Sequence, residues 1–129
     1  MRRTAFLAVA LFAGMASAQQ YPAKPIRLVI PYAAGSVAEV LFRGLMPALE
    51  PKLNARFVID ARPGADGNIG MAEAARAAPD GYTLLLAPTA NFAVLDHLAK
   101  DLPFNALTSF DPIAMIAETY PLCTVGPNV

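Results

Sequence analysis

Apolar and polar positions fall in blocks along this chain rather than alternating residue by residue. Ile26-Arg27-Leu28-Val29-Ile30, ended by Pro31, is a short β-branched run of the kind that forms a buried strand. Tyr32-Ala33-Ala34-Gly35-Ser36 follows as a loop of mostly small residues, with Ser36 placed to cap a helix. From Val37 to about Leu53, apolar residues recur at helical spacing: Val37, Val40, Leu41, Leu45, Leu49 and Leu53. Pro47 and Pro51 interrupt that pattern. Proline removes a backbone donor and clashes with the preceding turn, so a kink or break is expected near Met46.

Residues 56–60 read as a second strand, followed by the turn-rich Arg62-Pro63-Gly64-Ala65-Asp66-Gly67-Asn68. Residues 69–78 form an Ala-rich helical pattern with Glu73 and Arg76 expected on its surface, stopped by Pro79. After the Asp80-Gly81 turn, residues 83–87 are nearly all Leu, which predicts a third strand covered on both faces. Residues 91–98 carry a short helical pattern and 102–111 are irregular. Two more short strands are expected at 113–117 and 122–125. Strands alternating with helices predict right-handed βαβ units and an α/β fold, a mostly parallel sheet flanked by helices. In such sheets ligands sit beyond the carboxyl ends of the strands. Here those ends lead into loops 32–36, 61–68 and 88–91, all rich in small or polar residues.

Composition narrows the classes. Of 129 residues, 56% are hydrophobic and 16% charged, which excludes a disordered chain. Ten basic residues against ten acidic give no basic face for nucleic acid. One Cys and one His cannot build a structural zinc site, and one Cys makes no internal disulfide. The N-terminus has a basic start (Arg2, Arg3), an apolar run from Ala5 to Met15, and Ala16-Ser17-Ala18. These are the parts of a secretory signal peptide at residues 1–18, cut after Ala18. The apolar run is well short of the roughly 20 residues that span a bilayer. No Cys stands directly after the cut, so no lipid anchor is expected after cleavage. Cys123 lies in an apolar stretch and reads as a small buried hydrophobe.

Catalytic signals are weak. Gly64-x-x-Gly67-x-x-Gly70 lies between strand and helix but lacks the G-x-G-x-x-G spacing of a dinucleotide site. Asp66 would also set a negative charge beside a pyrophosphate. That loop reads either as a tight turn needing positive φ or as a ligand-contacting loop. His97, the one imidazole, falls in a helical stretch, and Ser36 and Ser109 lack the glycines of a nucleophile elbow. Sequence spacing does not show whether Glu39 and Asp66 approach each other. No catalytic residue, metal ligand or cofactor is assigned.

Several segments in order carry a resemblance. They are Tyr21-Pro22-x-Lys24-Pro25-Ile26-Arg27, Pro31-Tyr32-Ala33-Ala34-Gly35, Arg62-Pro63-Gly64-Ala65-x-Gly67-Asn68-Ile69-Gly70 and Ala78-Pro79-Asp80-Gly81-Tyr82-Thr83-Leu84. Leu102-Pro103-Phe104 and Phe110-Asp111-Pro112-Ile113 continue the series. Together they resemble the Bug family, the periplasmic solute receptors of tripartite tricarboxylate transporters. The resemblance implies a type-II, two-lobed Venus-flytrap fold that closes on a small carboxylate and passes it to membrane permease subunits. It assigns ligand contacts to Tyr32, Ala33, Ala34, Gly35, Ser36 and Val37 of the first loop. Gly67 and Asn68 belong to the second, and Thr89, Ala90 and Asn91 to the third.

Gly35-Ser36 stands where the family usually has two glycines, Glu39 where it has aspartate, and Phe42 where it has a small residue. Family members are more than twice as long. Residues 19–129 are therefore expected to be part of a first lobe, with the second lobe absent and binding impaired by truncation. Two other classes compete with a periplasmic receptor. One is a degenerate lobe that binds nothing and serves as an interaction module. The other is a small exported enzyme using Asp66, Glu39 or His97.

Overall fold

The computed structural model describes residues 21–89, 91–93, 102–118 and 124. Strand β1 (Ile26–Ile30) leads into helix α1 (Val37–Leu53), and strand β2 (Phe57–Ala61) follows. A 3-10 turn (Ala65–Gly67) then runs into helix α2 (Asn68–Ala75), and strand β3 (Thr83–Leu85) comes last. The sheet order is β2-β1-β3, with β1 central and parallel to both neighbours. Ile26 pairs with Phe57 and Ile30 with Ala61 on one side, while Leu28 pairs with Leu84 on the other. The expected α/β sheet is present.

Side chains alternate across β1, so its two faces make two layers. Ile26, Leu28 and Ile30 pack with Phe42, Ala55 and Phe57 into the main core, joined by the half-buried Ala38, Met46 and Leu49 of α1. The rings of Phe42 and Phe57 meet edge to face, 5.2 Å between centroids. Val29 points the other way and is fully buried, as is Met71 on α2, which lies against β1 and β3.

Several expectations need correction. Of the kink or break expected near Met46, the break does not occur: helix α1 is continuous through Pro47 and Pro51. The two prolines are four residues apart on one exposed face, so the carbonyls they leave without partners, those of Arg43 and Pro47, belong to exposed residues within reach of water. The core-facing stripe of α1 is Ala38, Phe42, Met46 and Leu49, while Val37, Val40, Leu41 and Leu45 of the expected apolar pattern are exposed. Helix α2 stops at Ala75 rather than 78, with Ala77 N–H bonding back to the Ala74 carbonyl in a tighter turn. Strand β3 ends at Leu85, and its residues are half-buried at the edge of the sheet that the described strands form.

Residues 113–117 form no strand; Ile113 is 80% exposed and Met115 69%. A β-prone run becomes a strand only beside another strand, and none of the described strands pairs with this one. All but residue 124 of the strand expected at 122–125, most of the helix at 91–98, His97 and Cys123 lie outside the described residues. Near the sheet's other end, Tyr21 Oη donates to the Gly81 carbonyl at 2.7 Å. The Ala23 N–H donates to Tyr82 Oη at 2.8 Å. These bonds strap the segment before β1 onto the turn before β3.

Candidate functional site

Parallel pairing brings the carboxyl ends of all three strands to one end of the sheet, and the loops that follow them converge there. The first is anchored at its root, where the Arg62 N–H donates to the Ile30 carbonyl at 2.8 Å. Further on, the Ser36 N–H donates to the Ala33 carbonyl at 3.1 Å, and Gly35 adopts a φ of +81°. Ser36 sits at the N-cap of α1, but its hydroxyl makes no capping bond. The start of the helix is held instead by Glu39, whose Oε2 accepts the Gly35 N–H at 2.8 Å. Arg43 Nε donates to Glu39 Oε1 at 2.8 Å from one helical turn away. The bond from Gly35 and the pairing with Arg43 hold the Glu39 carboxyl below its ordinary range, against desolvation.

The second loop is tightly wound. Gly64 and Gly67 have φ of +126° and +94°, and between them Ala65 and Asp66 lie in the left-handed region at +47° and +53°. That region costs a non-glycine residue about 1–2 kcal/mol, so the surroundings must hold it. Both ends of the loop are tied down. A Cβ built on Gly70 would come within 2.9 Å of Pro31 Cα and of the Arg62 carbonyl, so only glycine allows α2 to approach so closely. Arg62 Nε bonds Asp60 Oδ1 at 2.9 Å and lies 3.3 Å from Glu73 Oε2. Arg27 also pairs with both Asp60 and Glu73, making a four-residue cluster across β1, β2 and α2. Glu73 is therefore part of a half-buried network rather than a free surface residue.

The third loop closes on the other two. Tyr32 Oη donates to Asn91 Oδ1 at 3.0 Å, and Asn91 Nδ2 donates to the Asp66 carbonyl at 2.9 Å. Gly67 lies directly beneath, where a Cβ would come within 2.8 Å of Asn91 Nδ2. Burial raises the Tyr32 phenol above its ordinary value, the bond to Asn91 offsets this in part, and the Asp66 charge adds to the rise.

Two buried side-chain atoms here have no hydrogen-bond partner, Ser36 Oγ and Asn68 Oδ1. Leaving a buried polar atom unpaired costs on the order of 1–3 kcal/mol, so such atoms mark places where a ligand or water completes the bonding. Asn68 opens α2, where the first N–H groups of the helix favour an anion.

Of the residues the sequence singled out, the fold brings Tyr32, Gly67 and Asn91 into direct contact. Ser36 and Asn68 lie on adjoining loops. Ala33, Ala34, Gly35, Val37 and Thr89 are exposed at the same end, and Ala90 lies outside the described residues. Sequence reasoning missed Arg43 and the Asp66 carbonyl as parts of the site. The Glu39–Arg43 spacing and the Ser36-x-x-Glu39 capping-box pattern were the signals for the former. The Asp66 carbonyl has no sequence signal. Glu39 is committed to Gly35 and Arg43, which does not suit it to act as a catalytic base.

A family model described as "Tripartite tricarboxylate transporter family receptor" matches residues 41–128. A UPF0065 protein of Bordetella bronchiseptica is 39% identical over 129 residues, covering 98% of this chain and 38% of the relative. The solved structure of periplasmic binding protein BugD is 36% identical, with a TM-score of 0.65 over 72% of this chain and 31% of that one. MatC from Rhodopseudomonas palustris with bound malate is 25% identical, with a TM-score of 0.69 over 74% of this chain and 33% of that one. The chain spans about a third of the length of the curated relatives it matches. Among the described residues, no helix is long and apolar enough to cross a membrane.

Proposed function

Because the chain belongs to the tripartite tricarboxylate transporter receptor family, whose members are solute receptors rather than enzymes, we propose that its three converging loops capture a small carboxylate for uptake. In this reading residues 1–18 direct export to the periplasm, and residues 19–129 supply part of the first lobe of the receptor. Membrane permease subunits are the receiving partners.

The observation that carries the proposal is the pair of unpartnered buried atoms, Ser36 Oγ and Asn68 Oδ1, on the loops after β1 and β2. The Ser36 hydroxyl can donate to a carboxylate oxygen, and the first turn of α2 offers backbone N–H groups and a favourable dipole. Asn68 Oδ1 is an acceptor and suits a ligand hydroxyl or a bridging water. Tyr32, Gly35, Gly67 and Asn91 shape the wall around them. The malate held by MatC has the matching chemistry, two carboxylates and a hydroxyl.

The test is a titration of the isotopically labelled chain with malate, followed through its backbone amide resonances. Shifts concentrated at Ser36, Gly67 and Asn68 are expected, with sodium chloride at equal ionic strength producing none. Malate leaving those resonances in place, or moving only residues far from the three loops, would overturn the proposal.

A further inference from the structure

Tyr32 and Asn91 are among the residues to which family resemblance gives ligand contact, yet their polar side-chain atoms are engaged with the protein itself. The Tyr32 hydroxyl proton goes to Asn91 Oδ1, and Asn91 Nδ2 goes to the Asp66 carbonyl. We infer that Tyr32 and Asn91 are positioning residues, a clamp that fixes the second loop against the first and leaves ligand contact to Ser36, Asn68 and the backbone. The ligand half of this inference rests on the proposed function above.

The geometry requires such a clamp. Ala65 and Asp66 are held in the left-handed region, which an unsupported chain would leave. The carbonyl that Asn91 grips belongs to Asp66, the second of those two residues. Gly67, the next residue, is packed between Asn91 Nδ2 and Pro31, so relaxation of the turn would push against the clamp. Tyr32 immediately follows Pro31 at the end of β1. The chain of contacts therefore runs from the central strand, through Tyr32 and Asn91, to the residue before Gly67 and Asn68. Moving Asn91 moves the start of α2, where Asn68 Oδ1 is unpartnered.

Tyr32→Phe tests this while keeping the ring that packs against the core. In the unliganded chain, this substitution removes the bond to Asn91 Oδ1 and loosens the side chain's hold on the Asp66 carbonyl, so the backbone amides of Gly67 and Asn68 and the side-chain amide of Asn91 should shift. These groups lie far from residue 32 in sequence, and a tyrosine that only contacted ligand would not move them before ligand arrives. Malate should then bind about threefold to tenfold more weakly, the worth of one neutral hydrogen bond. Asn91→Ala, which loses both bonds, should shift the same amides further. Unaltered Gly67 and Asn68 amides in unliganded Tyr32→Phe would overturn the clamp. Failure of the unsubstituted chain to respond to malate would instead overturn the proposed function, since the unliganded comparison reads the clamp without any ligand.

Discussion

Gly70 and Pro31 approach so closely that a Cβ on the glycine would lie 2.9 Å from the proline Cα. The neighbour is backbone at the end of the central strand, so it cannot swing away as a side-chain tip would. Gly70→Ala is therefore expected to destabilise the chain by about 1–3 kcal/mol, the usual range for an added methyl in a filled site. Gly44, inside α1, is the matched control. Nothing lies within 4 Å of a Cβ built there. Gly44→Ala should stabilise by about 0.5–1 kcal/mol through helix propensity. Denaturant unfolding of the two variants checks both signs.

The ion-pair cluster predicts an acid dependence. Desolvation opposes ionisation of Asp60, but hydrogen bonds from Arg62 and Arg27 outweigh it and hold its carboxyl below the ordinary value of 3.8. A depressed folded value means the contribution is fully present at neutral pH, above the unfolded value. It fades as pH falls below about 3.8 and through the folded value. Asp60→Asn should lower stability at pH 7 by about 1–3 kcal/mol, the range for a charge-assisted bond in a partly buried site. The variant should also lose part of the difference in stability between pH 7 and pH 3. Thermal unfolding at both values reads the two effects, and a full acid response in Asp60→Asn would assign that response to other groups.

How much of this was legible beforehand depends on the range of the interaction. β1, α1 and β2 follow from local pattern, because short β-branched runs and 3.6-residue periodicity are properties of contiguous segments. Which face of α1 is buried does not follow. Val37, Val40, Leu41 and Leu45 compete with Ala38, Phe42, Met46 and Leu49 for the core, and only the position of the sheet decides between them. Residues 113–117 have a strand's pattern without a paired neighbour among the described strands. In the site, the loops were legible from their small residues and their place after strands. The side-chain bonds among them were not, since Tyr32 and Asn91 are 59 residues apart and nothing in their spacing shows they meet.

Glu39 predicts a charge effect on binding. Its buried carboxylate occupies the Gly35 N–H at the base of the first loop and is held ionised by that bond and by Arg43. A carboxylate bound in the same loops, as proposed, would meet a like charge. Glu39→Gln keeps the side-chain length and an acceptor for Gly35 while removing the charge. Malate should bind more tightly to this variant at low ionic strength, with the gain shrinking as salt is added. The Gly35 amide should also exchange its hydrogen faster, because a neutral acceptor makes a weaker bond. Equal malate affinity in both proteins at low salt would place the ligand away from Glu39.

Ser36 predicts opposite changes in stability and binding. Its Oγ is buried without a partner and makes no bond to the N-terminus of α1. Ser36→Ala should therefore escape the loss of about 1 kcal/mol that usually follows removal of a helix cap. Removing a buried hydroxyl that has no protein partner should instead raise the stability of the unliganded chain, by about 0.5–2 kcal/mol. If that hydroxyl meets the ligand, the same change should weaken malate binding. Binding sites commonly hold such locally unfavourable groups in reserve for their ligands. The check is one pair of measurements on Ser36→Ala, unfolding without malate and amide titration with it. A higher melting temperature with weaker malate response supports the site. A lower melting temperature would show that Ser36 supports the helix, and an unchanged response would remove its hydroxyl from the ligand's surroundings.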